Sequence, residues 1–139
     1  MNREEMIRLH QRHNEEELNQ GDLSVVDELF ASDYVRHVTG MPDIVGREAE
    51  KQFTAAIRAG FPDIHFTVED RRVDGNRLFA RWTAQGTHRG EYMGIPATGR
   101  PVTVAGMVIH RIEEGQFQES WDIVDNLSML QQLGLVPEM

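Results

Sequence analysis

The sequence predicts an α+β fold in which N-terminal helices pack on a curved, mostly antiparallel sheet. Three observations carry this prediction. Before residue 60 the apolar residues recur at helical spacing, whereas Ile64, Phe66 and Val68 alternate with polar residues, as in a half-buried strand. The Asp-Gly-Asn triplet at 74–76 is a strong hairpin-turn signal. Helices followed by a meander of strands are typical of the α+β class.

The helices are predicted from apolar spacing and from the residues that end each segment. The first helix covers 3–19, a shorter one covers 24–30, and a third runs over 47–59. A short strand at 34–38 separates the second helix from the third. One face of the first helix collects the following residues: Met6, Leu9, His10, His13 and Glu17.

The rest of the sheet is predicted as long strands joined by turns. Strands at 78–88, 101–112 and 116–124 follow the hairpin turn, and a short helix at 126–133 completes the pattern. Because a strongly twisted meander curls, three helices can cover its concave face and leave a hollow in which a ligand would bind. The same pattern also fits other α+β sandwiches.

Length, charge and composition limit the functional classes. The 139 residues fit one domain spanning 1–139. With a formal net charge of −9, the surface repels phosphate groups, so neither nucleic acid nor an anionic membrane is expected as a partner. The chain has no cysteine, which excludes disulfides and thiolate chemistry. Its N-terminus lacks the apolar stretch of a signal peptide, so we expect a cytoplasmic protein.

Four stretches carry a resemblance to a known family. They are LNQGDL with DELFA and DYVRH within 18–37, RWTAQGTH with EYMGIPATGR within 81–100, HRIEEG with ESWD within 110–122, and MLQQLG at 129–134. In this order they resemble the SnoaL-like polyketide cyclase (ester cyclase) family of the nuclear transport factor 2-like superfamily. The resemblance implies a cone-shaped α+β barrel whose pocket takes a small hydrophobic or polycyclic molecule. Because the superfamily includes isomerases, epoxide hydrolases and non-catalytic binding modules, it is more specific for fold than for reaction.

The resemblance identifies Asp122 as the acid/base residue. Strand alternation places Ser120 and Asp122 on one face and Trp121 on the other. A carboxylate in an apolar pocket has a raised pKa, because burial disfavours the charged form, and can then exchange protons near neutral pH. The alternative is an Asp122 that is solvated or caps the final helix. Asp125, directly before that helix, is the better N-cap candidate.

Two histidines are candidate partners of the acid. By resemblance, His37 points into the cavity, where it would bind a substrate carbonyl or orient the acid. A hydrogen-bonded core histidine is an equal alternative. His110 shares a strand face with Val108 and is either a pocket donor or a residue at an exposed strand end. A histidine suits either role because its ordinary pKa lies near neutrality.

Large apolar side chains are expected to line the pocket, because aromatic and methionine side chains suit a flat polycyclic ligand. The candidates are Phe53, Trp82, Tyr92, Met93 and Met107. The same residue types fill any small core. Only Tyr92 and Met93 have an added reason to be functional, since they lie in the loop at 90–99 and binding residues concentrate on loops.

We expect neither a metal nor a cofactor. His10 and His13 have the i, i+3 spacing of helical ligands, but the sequence places no carboxylate or third histidine convincingly beside them. Packing of a partly buried helix accounts for both. The glycine-rich phosphate loop and the Gly-x-Ser-x-Gly elbow are absent as well.

The resulting hypothesis is acid/base catalysis without a cofactor. Asp122 removes a proton flanked by carbonyls, the enolate closes a ring by intramolecular aldol addition or shifts a double bond, and His37 with His110 stabilises the enolate. A hydrolase or isomerase would need a second carboxylate or an Arg–Asp pair, with Arg81 as a candidate if it pointed inward. A binding or dimerisation module would have a filled cavity. The resemblance also implies a homodimer or higher homo-oligomer, formed through the convex sheet face.

Overall fold

The fold, taken from a computed structural model that describes residues 1–137, places helices on one side of a six-stranded sheet. The helices are α1 (Arg3–Arg12), α2 (Val26–Leu29), α3 (Arg47–Gly60) and α4 (Asn126–Gln132). The strands are β1 (Phe30–Val38), β2 (Ile44–Val45), β3 (His65–Asp74), β4 (Arg77–Thr87), β5 (Pro101–Glu113) and β6 (Gln116–Val124).

The strands are ordered β2-β1-β6-β5-β4-β3, and every pair is antiparallel except β1 with β6. The sheet curves around the helices but does not close, so β2 and β3 are its edges. The α+β class and the mostly antiparallel sheet are therefore confirmed, and the predicted barrel is an open one. The register of β1 on β6 pairs Arg36 with Ser120 and Val38 with Asp122, so these four residues share the interior face.

The first helix begins with a reciprocal cap and changes geometry at its midpoint. The Asn2 side chain accepts from the Glu5 backbone N–H at 2.9 Å, and the Glu5 side chain returns to the Asn2 backbone. After Arg12 the helix continues with π geometry over His13–Asn19. The predicted helix at 3–19 is thus present as one continuous element. Single-turn π segments often occur at functional sites, because they shift which side chains face inward.

The hydrophobic core has two parts that meet at Trp82. One part contains residues of α1 and α2 and the strand residues around Phe30 and Phe117. The other contains Phe61 and Ile64 after α3, residues of β3, β4 and β5, and Met129 of α4. Trp82 packs against both parts from β4. The space left between them opens into the cavity described below.

Two element boundaries before residue 60 differ from those predicted. The strand predicted at 34–38 begins at Phe30, where the backbone turns extended and ends α2, so the second helix stops at Leu29. The two-residue strand β2 was not predicted, because so short a pairing leaves no periodicity. Among residues 1–137, none of the helices combines the length and apolar character that a membrane crossing requires.

Candidate functional site

A cavity lies between the concave face of the sheet and the helices α1 and α3. About 1080 Å³ of space lies within it and at its mouth, a volume that includes open solvent. Polar and charged side chains are concentrated in one group on its wall: His10, His13, Asn14, Arg36, Glu50, His110 and Asp122. Most of the remaining wall is apolar. This combination suits an apolar ligand oriented by a few polar groups.

Asp122 faces this cavity, held by a charged partner on the neighbouring strand. The parallel pairing sets Val38 opposite Asp122 and Arg36 opposite Ser120, so Arg36 and Asp122 share the interior face. The Arg36 guanidinium donates to Asp122 Oδ2 at 2.5 Å. Asp122 is 9% exposed and Arg36 is 4% exposed. The pair is therefore a buried ion pair with access to the cavity.

The same guanidinium also binds Glu50 of α3. Arg36 Nε donates to Glu50 Oε1 at 2.9 Å, and Nη2 donates to Oε2 at 3.1 Å, in a bidentate arrangement. Burial raises the pKa of Glu50 to about 7, against the opposing effect of Arg36 and with a further contribution from nearby Glu17. Arg36 thus joins two carboxyl groups in one cavity wall.

Behind Glu50, the side chains of His13, Glu17 and Glu50 each bring one metal-binding atom within 4.8 Å of the others. Their oxygen atoms already have partners. Glu17 accepts from Thr54 Oγ1 at 2.6 Å and lies 2.7 Å from His13 Nδ1, while Arg36 occupies both oxygens of Glu50. These hydrogen bonds connect His13 to Glu17, Glu17 to Thr54, and Glu50 to Arg36. Glu17, which the sequence places on the same helix face as His13, and Glu50 of α3 therefore stand beside that histidine, contrary to the expectation that no carboxylate lies convincingly near it.

Three imidazole rings gather at the inner end of the cavity. The ring centroids of His10, His13 and His110 lie 5.2 to 6.1 Å apart. Burial lowers the pKa of His13 to about 4 and lowers the pKa of His10 and of His110 well below the usual value. All three rings are consequently neutral at neutral pH. His110 is 1% exposed, so it does not lie at an exposed strand end.

The outer part of the wall contains the predicted aromatic residues. Phe53 of α3, Trp82 of β4, and Tyr92 with Met93 of the 88–100 loop all line the cavity. The loop turns back at a bridge between Tyr92 and Ile95. Tyr92 is seated directly on Gly60, where an added Cβ would lie 2.7 Å from the Tyr92 Cβ. Glycine at the end of α3 therefore permits this close approach.

His37 and Met107 do not reach the cavity. His37 follows inward-facing Arg36 and so points to the outer face, where its ring nitrogens lie 2.7 Å from Glu119 and 2.9 Å from Asp43. These acidic partners raise its pKa. Met107 precedes inward-facing Val108 and is 58% exposed. Both expectations are wrong for the same reason, because neighbouring residues in a strand face opposite sides.

The sequence interpretation missed Arg36 and Glu50. Arg36 alternates with buried Tyr34 and Val38, and Glu50 lies one helical turn from Phe53 and Thr54, so both positions carried an inward-facing signal. Both were passed over because charged residues are rarely buried unless paired.

Arg81 and Asp125 both lie outside the cavity wall. Arg81 is exposed, as anticipated for an outward residue. Asp125 accepts from the Ser128 backbone N–H at 3.0 Å and caps α4. Because Asp125 fills that role, Asp122 is free of it.

Comparisons with known proteins agree with this geometry. The family model for SnoaL-like polyketide cyclase matches residues 8–133. IdmH from Streptomyces antibioticus, a proposed polyketide cyclase, is 36% identical over 91% of this chain and 96% of its own, with a TM-score of 0.79. TsrD from Streptomyces laurentii is 28% identical over 98% of this chain and 99% of its own, with a TM-score of 0.88.

A third structure has been given another activity. AclR from Streptomyces galilaeus, a proposed hydroxylase, is 25% identical over 99% of this chain and 86% of its own, with a TM-score of 0.86. The comparison with curated proteins finds no match.

Proposed function

Because the chain belongs to the SnoaL-like polyketide cyclase family, we propose that it catalyses acid/base chemistry on an enolisable, polyketide-type substrate, with Asp122 as the base. The observation that carries this proposal is the position of Arg36, which binds Asp122 and Glu50 in the same cavity wall. A base and a proton donor side by side are what an enolisation followed by protonation requires.

The first step is removal of a proton from a carbon that lies between two carbonyl groups. Asp122 Oδ2 accepts from Arg36, which leaves Oδ1 to take the proton. The C–H electron pair moves into the enolate, so no cofactor is needed to accept electrons. Such protons are already acidic, and one positioned carboxylate is a sufficient base. Donors aimed at the enolate oxygen lower the barrier further.

The second step closes the ring. The enolate carbon attacks a second carbonyl carbon of the same chain, one C–C bond forms, and the resulting alkoxide takes up a proton. Glu50, with a pKa of about 7, is partly protonated at neutral pH and can supply that proton. Asp122 then releases its proton to solvent and Glu50 takes one up from solvent, so both carboxyl groups return to their starting protonation states and the reaction has no net proton uptake.

The cavity contributes by holding a flexible substrate in a reactive shape. Phe53, Trp82 and Tyr92 provide flat apolar surfaces on the cavity wall. The Phe53 ring centroid lies 5.8 Å from the guanidinium carbon of Arg36. Folding a chain so that two reacting carbons meet removes much of the entropic part of the barrier. A small hydrophobic or polycyclic molecule with several carbonyl groups is therefore the proposed substrate class.

The test uses an aryl 1,3-diketone that carries a further ketone on a flexible arm, with the cyclised isomer separated by chromatography. Asp122→Asn should abolish enzyme-dependent cyclisation, and Glu50→Gln should slow it roughly 100-fold. Glu48→Gln is the matched control, because Glu48 lies on the same helix with its side chain 79% exposed. Undiminished cyclisation by Asp122→Asn would overturn the proposal.

One observation favours a second reaction on the same site. A hydrolase needs an Arg–Asp pair or a second carboxylate in the pocket, and Arg36 with Asp122 and Glu50 supplies both. In that reaction the carboxylates would activate a water molecule against an epoxide while the protonated partner supports the leaving oxygen. Styrene oxide distinguishes the two reactions, since diol formation that depends on Asp122 and Glu50 supports the hydrolase.

We also propose that the protein forms a homodimer through the outer face of its sheet. Met107 and Ile123 are directly paired across β5 and β6, and their side chains are 58% and 66% exposed. Phe79 on β4 adds to the same face, at 37% exposed. Contiguous exposed apolar residues on a sheet face are typical of a surface that another chain covers.

A further inference from the structure

We propose that His10 and His110 form a pair of imidazole N–H donors at the inner end of the cavity, and that this pair binds an uncharged acceptor oxygen of the ligand. A ketone, quinone or phenol oxygen on a polycyclic molecule has the required chemistry. The inference deepens the proposed function, because it names what binds at the end of the same cavity. The inference depends on which nitrogen of each ring carries the proton. The hydrogen bond made by Nδ1 of each ring determines this.

The His10 tautomer follows from its partner on β3. Arg71 Nε lies 2.8 Å from His10 Nδ1. A guanidinium nitrogen can only donate, so Nδ1 must accept and carries no proton. The ring is neutral, and its single proton is therefore on Nε2.

The His110 tautomer follows from a chain of two hydroxyl groups. The Tyr34 hydroxyl donates to Ser120 Oγ at 2.6 Å, and Ser120 Oγ lies 2.5 Å from His110 Nδ1. Within residues 1–137, Ser120 is the sole hydrogen-bond partner of the Tyr34 hydroxyl, and Tyr34 is fully buried. Burial also raises the pKa of Tyr34, so the phenol keeps its proton.

Proton counting completes the assignment. A serine hydroxyl has one proton, and Ser120 already accepts from Tyr34. Among the described hydrogen-bond partners of Ser120, His110 Nδ1 is the atom that can accept this proton. Because the buried hydroxyl must donate somewhere, Nδ1 accepts and the His110 proton is on Nε2. The two rings reach the same tautomer through unrelated partners.

Both Nε2 atoms face the cavity. His10 and His110 line its wall, and neither Nε2 has a hydrogen-bond partner within residues 1–137. Among residues 1–137, Nε2 of His88 is the one side-chain polar atom that lacks both a hydrogen-bond partner and solvent exposure. Nε2 of His10 and Nε2 of His110 lack a partner too, so each must be solvent-exposed. The two Nε2 atoms are therefore open to the cavity. The ring centroids lie 5.2 Å apart, close enough for both rings to contact one ligand group.

The charge around the pair determines the ligand class. Burial is the main reason that the pKa values of His10 and His110 are low, and the neighbouring His13 and Arg36 lower both further. Arg71 faces His10 in addition. The donors are therefore uncharged. Arg36, the nearest cation facing both rings, is already bound to two carboxylates. Arg71 contacts the Nδ1 side of His10 and is not among the residues that line the cavity, so within residues 1–137 the cavity wall offers a ligand carboxylate no unpaired arginine. A carbonyl oxygen needs only the N–H groups.

The first test reads the tautomers directly, by nitrogen-15 NMR of the histidine rings in the ligand-free protein. We expect a bare Nδ1 and a protonated Nε2 on both rings. Arg71→Met should disturb the signals of His10 alone, and Ser120→Ala those of His110 alone. Arg72→Met is the matched control for Arg71, since the Arg72 side chain is 76% exposed. A protonated Nδ1 on either ring of the unmodified protein would overturn the proposal.

The second test compares two probes of nearly equal shape, 1-tetralone and its hydrocarbon counterpart tetralin. Two new hydrogen bonds should make 1-tetralone bind roughly tenfold more tightly. The ketone should also shift the Nε2 resonances of His10 and His110. If 1-tetralone binds no more tightly than tetralin, the pair does not bind carbonyl oxygen and the inference fails.

The failure of this inference can be told apart from failure of the proposed function. Neither test involves turnover, so an inactive protein would still show both tautomers and the preference for the ketone. Conversely, a protein that cyclises its substrate through Asp122 but shows a protonated Nδ1 on His110 would retain the function and lose this donor pair.

Discussion

Arg36 on β1 and Asp122 on β6 form a buried ion pair. The pairing of these two strands is the one parallel pairing in the described part of the chain, residues 1–137. The pairing of β1 with β6 brings both side chains to the concave face, and the remaining guanidinium nitrogens bind Glu50. The ion pair orients the carboxylate in the cavity wall. The acid/base site therefore depends directly on sheet topology.

Replacing Arg36 should destabilise the protein strongly. Arg36→Met keeps the side-chain length but leaves Asp122 and Glu50 buried without a cation, at a cost of about 3–5 kcal/mol in the free energy of unfolding. Urea unfolding measures the change. The control is Arg81→Met, an exposed arginine on the outer face, which should change stability by less than about 0.5 kcal/mol. Equal stability of the two variants would mean that the ion pair does not form.

The stability of the protein should respond to pH through Glu50. Its pKa rises from 4.5 to about 7 on folding, so the folded state binds the proton more tightly between those values. Stability from this group is complete below the unfolded pKa and is lost as the pH rises through the folded pKa, by about 3 kcal/mol in total.

Glu50→Gln removes this dependence while keeping the shape of the side chain. The difference in stability between the variant and the unmodified protein should change in favour of the variant mainly between pH 4.5 and about pH 7. The buried histidines act in the opposite direction, because their lowered pKa values cost stability as the pH falls. Comparing the two proteins cancels the contributions of His10 and His110, whereas loss of the Glu50 charge lowers the pKa of His13 further. A pH-independent difference would contradict the raised pKa of Glu50.

Ligand binding should be reported by one of the two tryptophans. Trp82 lines the cavity, whereas Trp121 lies on the outer face and stacks on His37 at 5.8 Å. A flat aromatic ketone such as 1-hydroxyanthraquinone should quench the fluorescence of Trp82. Trp121→Phe should retain the quenching and Trp82→Phe should lose it. The reverse result would place the ligand on the outer face of the sheet.

The dimer proposal predicts a change of mass on a single substitution. Ile123→Glu places a charge in the middle of the exposed apolar face and should convert a dimer into a monomer in sedimentation experiments at micromolar concentration. Leu127→Glu is the control, because Leu127 is 50% exposed but lies on α4, away from that face. A monomeric unmodified protein would refute the proposal.

Much of the fold could be predicted because its signals are local. Alternation and the turn at Asp74–Asn76 predict β3 and β4, and the capping residue Asp125 predicts the start of α4. The pairing of β1 with β6 is not local, since it joins segments more than eighty residues apart. No pattern within either strand specifies it.

The site was predicted in part for the same reason. Asp122, His110 and the aromatic residues lie on faces that alternation or family resemblance could identify. The family resemblance implied an inward-facing His37, but Arg36 is the residue of β1 that lines the cavity there. Glu50 was missed because its burial depends on Arg36, and a buried charge can be predicted only together with its partner.

The central claim, that Asp122 removes a carbon-bound proton, is tested most directly by hydrogen–deuterium exchange. The probe is 1-phenylbutane-1,3-dione in deuterated buffer, with loss of the methylene proton signal followed by NMR. The protein should accelerate exchange above the buffer rate, Asp125→Asn should retain this effect, and Asp122→Asn should reduce it by at least about 100-fold. Equal exchange rates for Asp122→Asn and the unmodified protein would contradict the account, because the proton would then be taken by another group.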